Sequence, residues 1–125
     1  MGKDTDRDLL EKIVDFIEDA LTLIQTINDN KYVPHITTQP TDITAALDEV
    51  IYFTLTANNV KEYQWQYQNI GQTTWRNTTL NGYNTNSLRV VTTEARYGML
   101  FRCVITGLDD SVIYSNEVTI IPPET

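Results

Sequence analysis

The chain is short of the residues on which most catalytic, secreted and membrane-spanning proteins depend. It has one cysteine, Cys103, in 125 residues, so no disulfide can close within it. That fits assembly in a reducing compartment. It has one histidine, His35, and one cysteine, too few for a closed zinc site in one chain. No run approaches the about 18 apolar residues that span a bilayer. MGKDTDRDLLEK has no apolar stretch of roughly 7–15 residues, so it does not read as a secretory signal. Asp6 stands where myristoylation requires Ser or Thr. With residue 1 as the natural start, the chain is expected to be made in a cytoplasm and to leave it only by lysis.

Basic residues are also scarce. There are 9 Lys and Arg against 17 Asp and Glu, for a net charge of −8. The excess acid is spread over both parts of the chain, and no Lys/Arg stripe is present. Partners carrying dense negative charge, nucleic acid and anionic membrane surfaces, are therefore disfavoured. No G-x-S-x-G, P-loop or dinucleotide fingerprint occurs. Cys103 alternates with Phe101 and Ile105, which argues for a core thiol and against a Cys–His dyad. The expectation is a protein that is not an enzyme and has no cofactor and no metal. Asp109 with Asp110, or Asp48 with Glu49, could join a calcium site, but paired acids in turns are ordinary solvated turn residues. Asn77-Thr78-Thr79 matches a glycosylation acceptor, incidental without a secretory route.

What the sequence has is a heptad. Residues 5–29 read as a helix capped by Thr5 or Asp4, with Asp6 and Asp8 in its first turn. Leu10, Ile17 and Ile24 fall at a, and Ile13, Ala20 and Ile27 at d. Val14 and Leu21 fall at e, and Leu9, Phe16 and Leu23 at g. Positions b, c and f are all polar. Four apolar positions in seven exceed the two of a simple coiled-coil dimer. A lone helix of this length is marginal in water. The helix therefore either folds back on the rest of its own chain or associates. Association means a bundle of three or more copies, or a seat in the groove of a partner protein. Asn28 and Asn30 suit a left-handed C-cap, and Pro34 forbids continuation.

From residue 35 short alternating segments recur about every 8–12 residues, the spacing of a sandwich or barrel. Expected strands are HITTQP and TDITAAL split at Pro40, VIYFTLTA (50–57), EYQWQYQ (62–68), TTWRNTT (73–79), NSLRVVT (86–92), GMLFRCVIT (98–106) and VIYSNEVTII (112–121). GLDDS is the turn of the last hairpin. In EYQWQYQ, period two sends Tyr63, Trp65 and Tyr67 to one face and Gln64, Gln66 and Gln68 to the other.

ITTQPTD, YQWQY, the TTW after Gly71, LNGYNTNSLRV and ARYGMLFRCVI, in this order, resemble a bacterial and phage immunoglobulin-like module. The resemblance covers residues 36–121. It implies a mainly β chain: an immunoglobulin-like β-sandwich preceded by one N-terminal amphipathic α-helix. It makes Trp65 the buried tryptophan of the third strand, with Leu55, Phe101 and Cys103 in the same core. Leu55 stands where the family's disulfide partner would be, and Phe101 where its corner tyrosine would be. Both stabilisers are therefore expected to be missing, with Tyr97 or Met99 filling part of the space. The expected organisation is an anchoring helix at 1–31, a linker at 32–35, the sandwich at 36–121 and a tail at 122–125.

The partly exposed aromatics are then expected at Trp75, Tyr83, Tyr52 and Tyr114. Trp75 and Tyr83 are the candidates for stacking a sugar ring; alternatively, Trp75 packs over the sheet edge against the Leu80–Tyr83 turn. Such modules occur on phage heads, tails and fibres as decoration and weak host attachment. The resemblance implies a virion protein, synthesised in host cytoplasm. It would be held by Leu9, Leu10, Ile13, Val14, Phe16, Ile17, Leu21, Leu23, Ile24 and Ile27 to copies of itself or to a capsid, collar or tail protein. Cell-surface glycan is the expected weak ligand. The alternative is a bacterial surface adhesin or lectin-like module on a helical stalk.

Overall fold

The computed structural model describes the backbone of residues 2–124 and the side chains of 6–27 and 30–124. The chain forms two compact units, residues 1–32 and 33–125. The first is α1, Gly2–Asn30. Its start at Gly2 takes Asp4 and Thr5 into the first turns, so neither is the cap expected from sequence. It runs through Asn28, and positive φ among described non-glycine residues falls at Asp48, Asn59 and Asp110, not at Asn30. On its polar side Lys12 pairs with Asp8 at 3.3 Å, an exposed i,i+4 contact worth a few tenths of a kcal/mol at most. Thr22 and Thr26 donate their hydroxyls to the carbonyls of Glu18 and Thr22. Among the described residues no helix is long and apolar enough to cross a membrane.

The second unit is built of strands. In chain order they are β1 His35–Thr38, β2 Ile43–Thr44, β3 Val50–Thr54, β4 Thr56–Asn58 and β5 Val60–Gln68. There follow β6 Arg76–Asn77, β7 Ser87–Val91, β8 Leu100–Gly107, β9 Val112–Tyr114 and β10 Ile120–Ile121. The chain is thus mainly β with one N-terminal helix. The largest sheet has the order β6-β5-β8-β9, all antiparallel. β3 pairs with β7 and β1 with β4, both antiparallel, while β10 runs parallel to β2. His35, which the sequence leaves between the linker and the first strand, opens β1.

Three expected strands are shorter or broken, each for a local reason. VIYFTLTA breaks at Leu55. Its backbone N–H donates to the Asn86 carbonyl and its carbonyl accepts from Asn86 Nδ2, so one asparagine closes both groups. VIYSNEVTII breaks after Tyr114. Val104 faces Tyr114, yet Phe101 faces Val118, so one extra residue is inserted opposite β8. The Ser115 hydroxyl fills the gap by accepting the Cys103 N–H at 2.8 Å. TTWRNTT keeps ladder pairing only at Arg76–Asn77.

Burial follows the alternation. Ile51 and Phe53 of β3, Leu88 and Val90 of β7, Trp65 of β5, and Phe101, Cys103 and Ile105 of β8 form one core with Leu55, Ala45, Val118 and Ile120. Phe53 ties the elements together, its ring 6.5 Å from Trp65 and 5.4 Å from Phe101. The Trp65 indole N–H is satisfied by the Thr85 carbonyl at 2.8 Å. Phe101 has no hydroxyl to bond, but Tyr97 supplies one: its O–H donates to the Ala45 carbonyl at 2.7 Å, 52 residues away. Gly82 is required in the turn before β7. It holds φ +86°, and a Cβ there would strike the Ser87 carbonyl.

Candidate functional site

Two surfaces remain after the core is accounted for. The first is the apolar face of α1. Leu9, Leu10, Ile13, Val14, Phe16, Ile17, Leu21, Leu23, Ile24 and Ile27 are each 46–74% exposed. Such side chains scattered singly need no explanation, but these ten keep heptad spacing on one helix and form a continuous exposed apolar stripe.

The second is the outer face of the β6-β5-β8-β9 sheet. In β8 the odd positions Phe101, Cys103 and Ile105 point into the core, which sends Arg102, Val104 and Thr106 outward. Register then sets Gln66 opposite Arg102, Gln64 opposite Val104, and Tyr114 beside Val104. The Arg102 guanidinium lies 4.2 Å from the centroid of Trp75 and 4.4 Å from that of Tyr114. Its Nε donates to Gln66 Oε1 at 2.9 Å, and Gln66 Nε2 donates in turn to Asn77 Oδ1 at 2.9 Å. Trp75 is half-buried and Tyr114 remains exposed.

Of the two aromatics singled out from sequence, only Trp75 joins this cluster. Tyr83 is 37% exposed and lies in the turn bordering β5, where its carbonyl accepts the Trp65 N–H. Among the described residues its ring makes no contact with Trp75. Arg102 was not singled out from sequence. Strand parity with Phe101 and Cys103 was the available signal.

The other candidates have local roles. Asp109 accepts both the hydroxyl and the N–H of Ser111, which lowers its carboxyl below the usual range. Asp110 bonds Lys61 at 2.8 Å, which raises the ammonium. Cys103 is fully buried, and burial pushes its thiol up to about 12. The thiolate is the reactive form. Native protein at pH 8 should therefore resist iodoacetamide and take up one carbamidomethyl group only on unfolding; rapid labelling of folded protein by mass spectrometry would contradict this burial.

No family model matches this chain, and no curated protein does. Solved structures that show similarity include the following three. The D1 domain of Duf (Kirre) is 14% identical, with 72% of this chain and 96% of that chain covered and a TM-score of 0.48. The IG1+IG2 pair of DIP-gamma is 17% identical, with 74% and 49% covered and a TM-score of 0.48. SGBP-B of the Bacteroides ovatus mixed-linkage glucan utilization locus, in complex with a mixed-linkage heptasaccharide, is 12% identical, with 73% and 25% covered and a TM-score of 0.46. The match spans about half of the second chain and a quarter of the third.

Proposed function

We propose that this chain is a non-enzymatic accessory protein of a tailed-phage particle, synthesised in host cytoplasm. Residues 33–125 form an immunoglobulin-like sandwich, displayed for weak contact with the host surface or its glycans. α1 anchors it by bundling with at least two further copies. The Phe53–Trp65–Phe101 contacts support the sandwich by joining β3 to β5 and β8 through one core. The resemblance of 36–121 to modules of virion proteins supports the location.

The observation that carries the anchoring role is the exposed heptad of α1. Full burial of a large apolar side chain gives roughly 1.5–3 kcal/mol. Covering half the area of ten such residues would give on the order of 8–15 kcal/mol per helix. Three helices would together gain about 24–45 kcal/mol, against roughly 8–30 kcal/mol for the two association steps that make a trimer, so assembly is favoured over most of that range. Isoleucine at a and d favours three or four strands over two, and apolar e and g positions widen the seam further.

Sedimentation of the intact chain against a chain lacking residues 1–31 tests this. The intact chain should be trimeric or larger and the shortened one monomeric. An intact chain that stays monomeric overturns self-anchoring, and a capsid, collar or tail protein would then be the alternative seat. The outer sheet face favours keeping a second reading, a bacterial surface adhesin on a helical stalk. Mass spectrometry of purified particles separates the two, because only a virion protein is found there.

A further inference from the structure

We propose that Arg102, clasped between Trp75 and Tyr114, binds the carboxylate of an acidic sugar. This inference rests on the reading that the strand unit meets glycan, and it names the class. The guanidinium lies over two rings, 4.2 Å from the Trp75 centroid and 4.4 Å from that of Tyr114. Its Nε is held by Gln66, itself held by Asn77. What remains is the edge carrying the two terminal amino groups, which have no partner among the described residues. Elsewhere Lys12 and Lys61 pair with aspartates and Arg96 donates to the Val91 carbonyl. Arg102, like Arg7, Arg76 and Arg89, has no carboxylate partner among the described residues, in a chain of net charge −8.

An immobilised arginine loses little side-chain freedom when it engages a ligand, and its planar fork matches a carboxylate in two parallel hydrogen bonds. The neighbouring outer-face positions, Gln64, Gln66, Val104 and Tyr114, carry no second cation. One positive charge suits a singly charged carboxylate better than a doubly charged phosphate. Glu62 is the acid on this face; it stands four residues from Gln66, about 13 Å along the strand. Tyr114 stays 55% exposed while stacked on Arg102, leaving ring surface for the C–H face of a sugar. Gln64 Nε2 already donates to the Trp65 and Thr78 carbonyls, and both amide atoms of Gln66 are engaged, so Gln64 Oε1 is the amide atom left to accept from a hydroxyl group. Fork, ring and one amide oxygen on the same sheet face describe a site for a uronic-acid type of residue.

The test uses the full chain and trigalacturonate as the probe, with neutral maltotriose and sodium sulfate for comparison. Half-buried Trp75 should respond by fluorescence, saturating in the millimolar range or below, while buried Trp65 reports that the fold is intact. Arg102→Lys keeps the charge but loses the fork, and should weaken binding about tenfold or more. Maltotriose should bind at least as weakly as that variant, and sulfate should not displace the probe at equal concentration. Absence of saturable binding, equal binding of maltotriose, displacement by equimolar sulfate, or unchanged binding by folded Arg102→Lys each overturns the proposal. Should Arg102→Lys not fold, the comparison of trigalacturonate with maltotriose on the unaltered chain decides. Neutral-glycan binding that survives Arg102→Lys would leave glycan contact standing and remove only this site, and sedimentation reports on the helix separately.

Discussion

A chain carrying Ile17→Asp together with Ile24→Asp should sediment as a monomer at concentrations where the unaltered chain is expected to be trimeric or larger. Both positions are a sites of the heptad and are 50% and 54% exposed on α1. In a bundle of three, six carboxylates would meet around the axis. Burying an unpaired charge costs several kcal/mol even after relaxation, and the repulsion adds to the lost apolar contact. The association constant should fall by many orders of magnitude, with no residual dimer. Residues 33–125 should keep their near-ultraviolet spectrum, because their core is separate from α1. Thr22→Asp, at an f position, adds a charge to the same helix without touching the seam and should leave assembly almost unchanged. If the Ile17/Ile24 double variant still assembles, or the Thr22 variant does not, the heptad is not the assembly face. In phage-infected cells the same double variant should be missing from purified particles.

The helix could be read from sequence because its apolar residues keep one period over three heptads. The strands could be read where one face is fully buried: the parity of EYQWQYQ puts Trp65 in the core and leaves Gln64 and Gln66 on the outer sheet face. Strand ends were not legible. Leu55 is closed by Asn86, Cys103 by Ser115, and Tyr97 by Ala45, and each bond joins residues 12 to 52 positions apart. A local pattern carries no trace of such a partner. The same limit hid the outer-face cluster. Trp75 and Tyr114 were visible as exposed aromatics, but Arg102 lies between them only because β5, β8 and β9 are neighbours in register. Phe101 stands where the resemblance expects a corner hydroxyl and has none. Its place as a cross-chain tie is taken by Tyr97, whose phenol is pushed up by burial and then by Glu49 and Glu94, and so stays a proton donor at neutral pH.

The largest stability effect in the strand unit is expected from Trp65→Ala. Trp65 is fully buried, stacks on Phe53 and donates its indole N–H to Thr85. Truncating such a residue costs about 3–5 kcal/mol for transfer and cavity together, and the unpaired Thr85 carbonyl adds about 1 kcal/mol. A unit of this size has a total stability of roughly 5–14 kcal/mol. No disulfide within the chain, which would contribute about 2–5 kcal/mol, can add to this, because Cys103 is the only cysteine. The variant should therefore be unfolded or nearly so at ambient temperature, read as loss of the cooperative urea transition. Trp65→Phe separates the causes: it keeps most of the apolar contact and gives up the indole hydrogen bond, so it should remain folded and lose about 1–2 kcal/mol. A Trp65→Ala chain that unfolds cooperatively within about 1 kcal/mol of the unaltered one would mean that Phe53, Phe101 and Leu88 hold the two halves of the core together without it. An intermediate loss for Trp65→Phe, close to that of Trp65→Ala, would instead place the weight on the Thr85 bond and the turn it fixes.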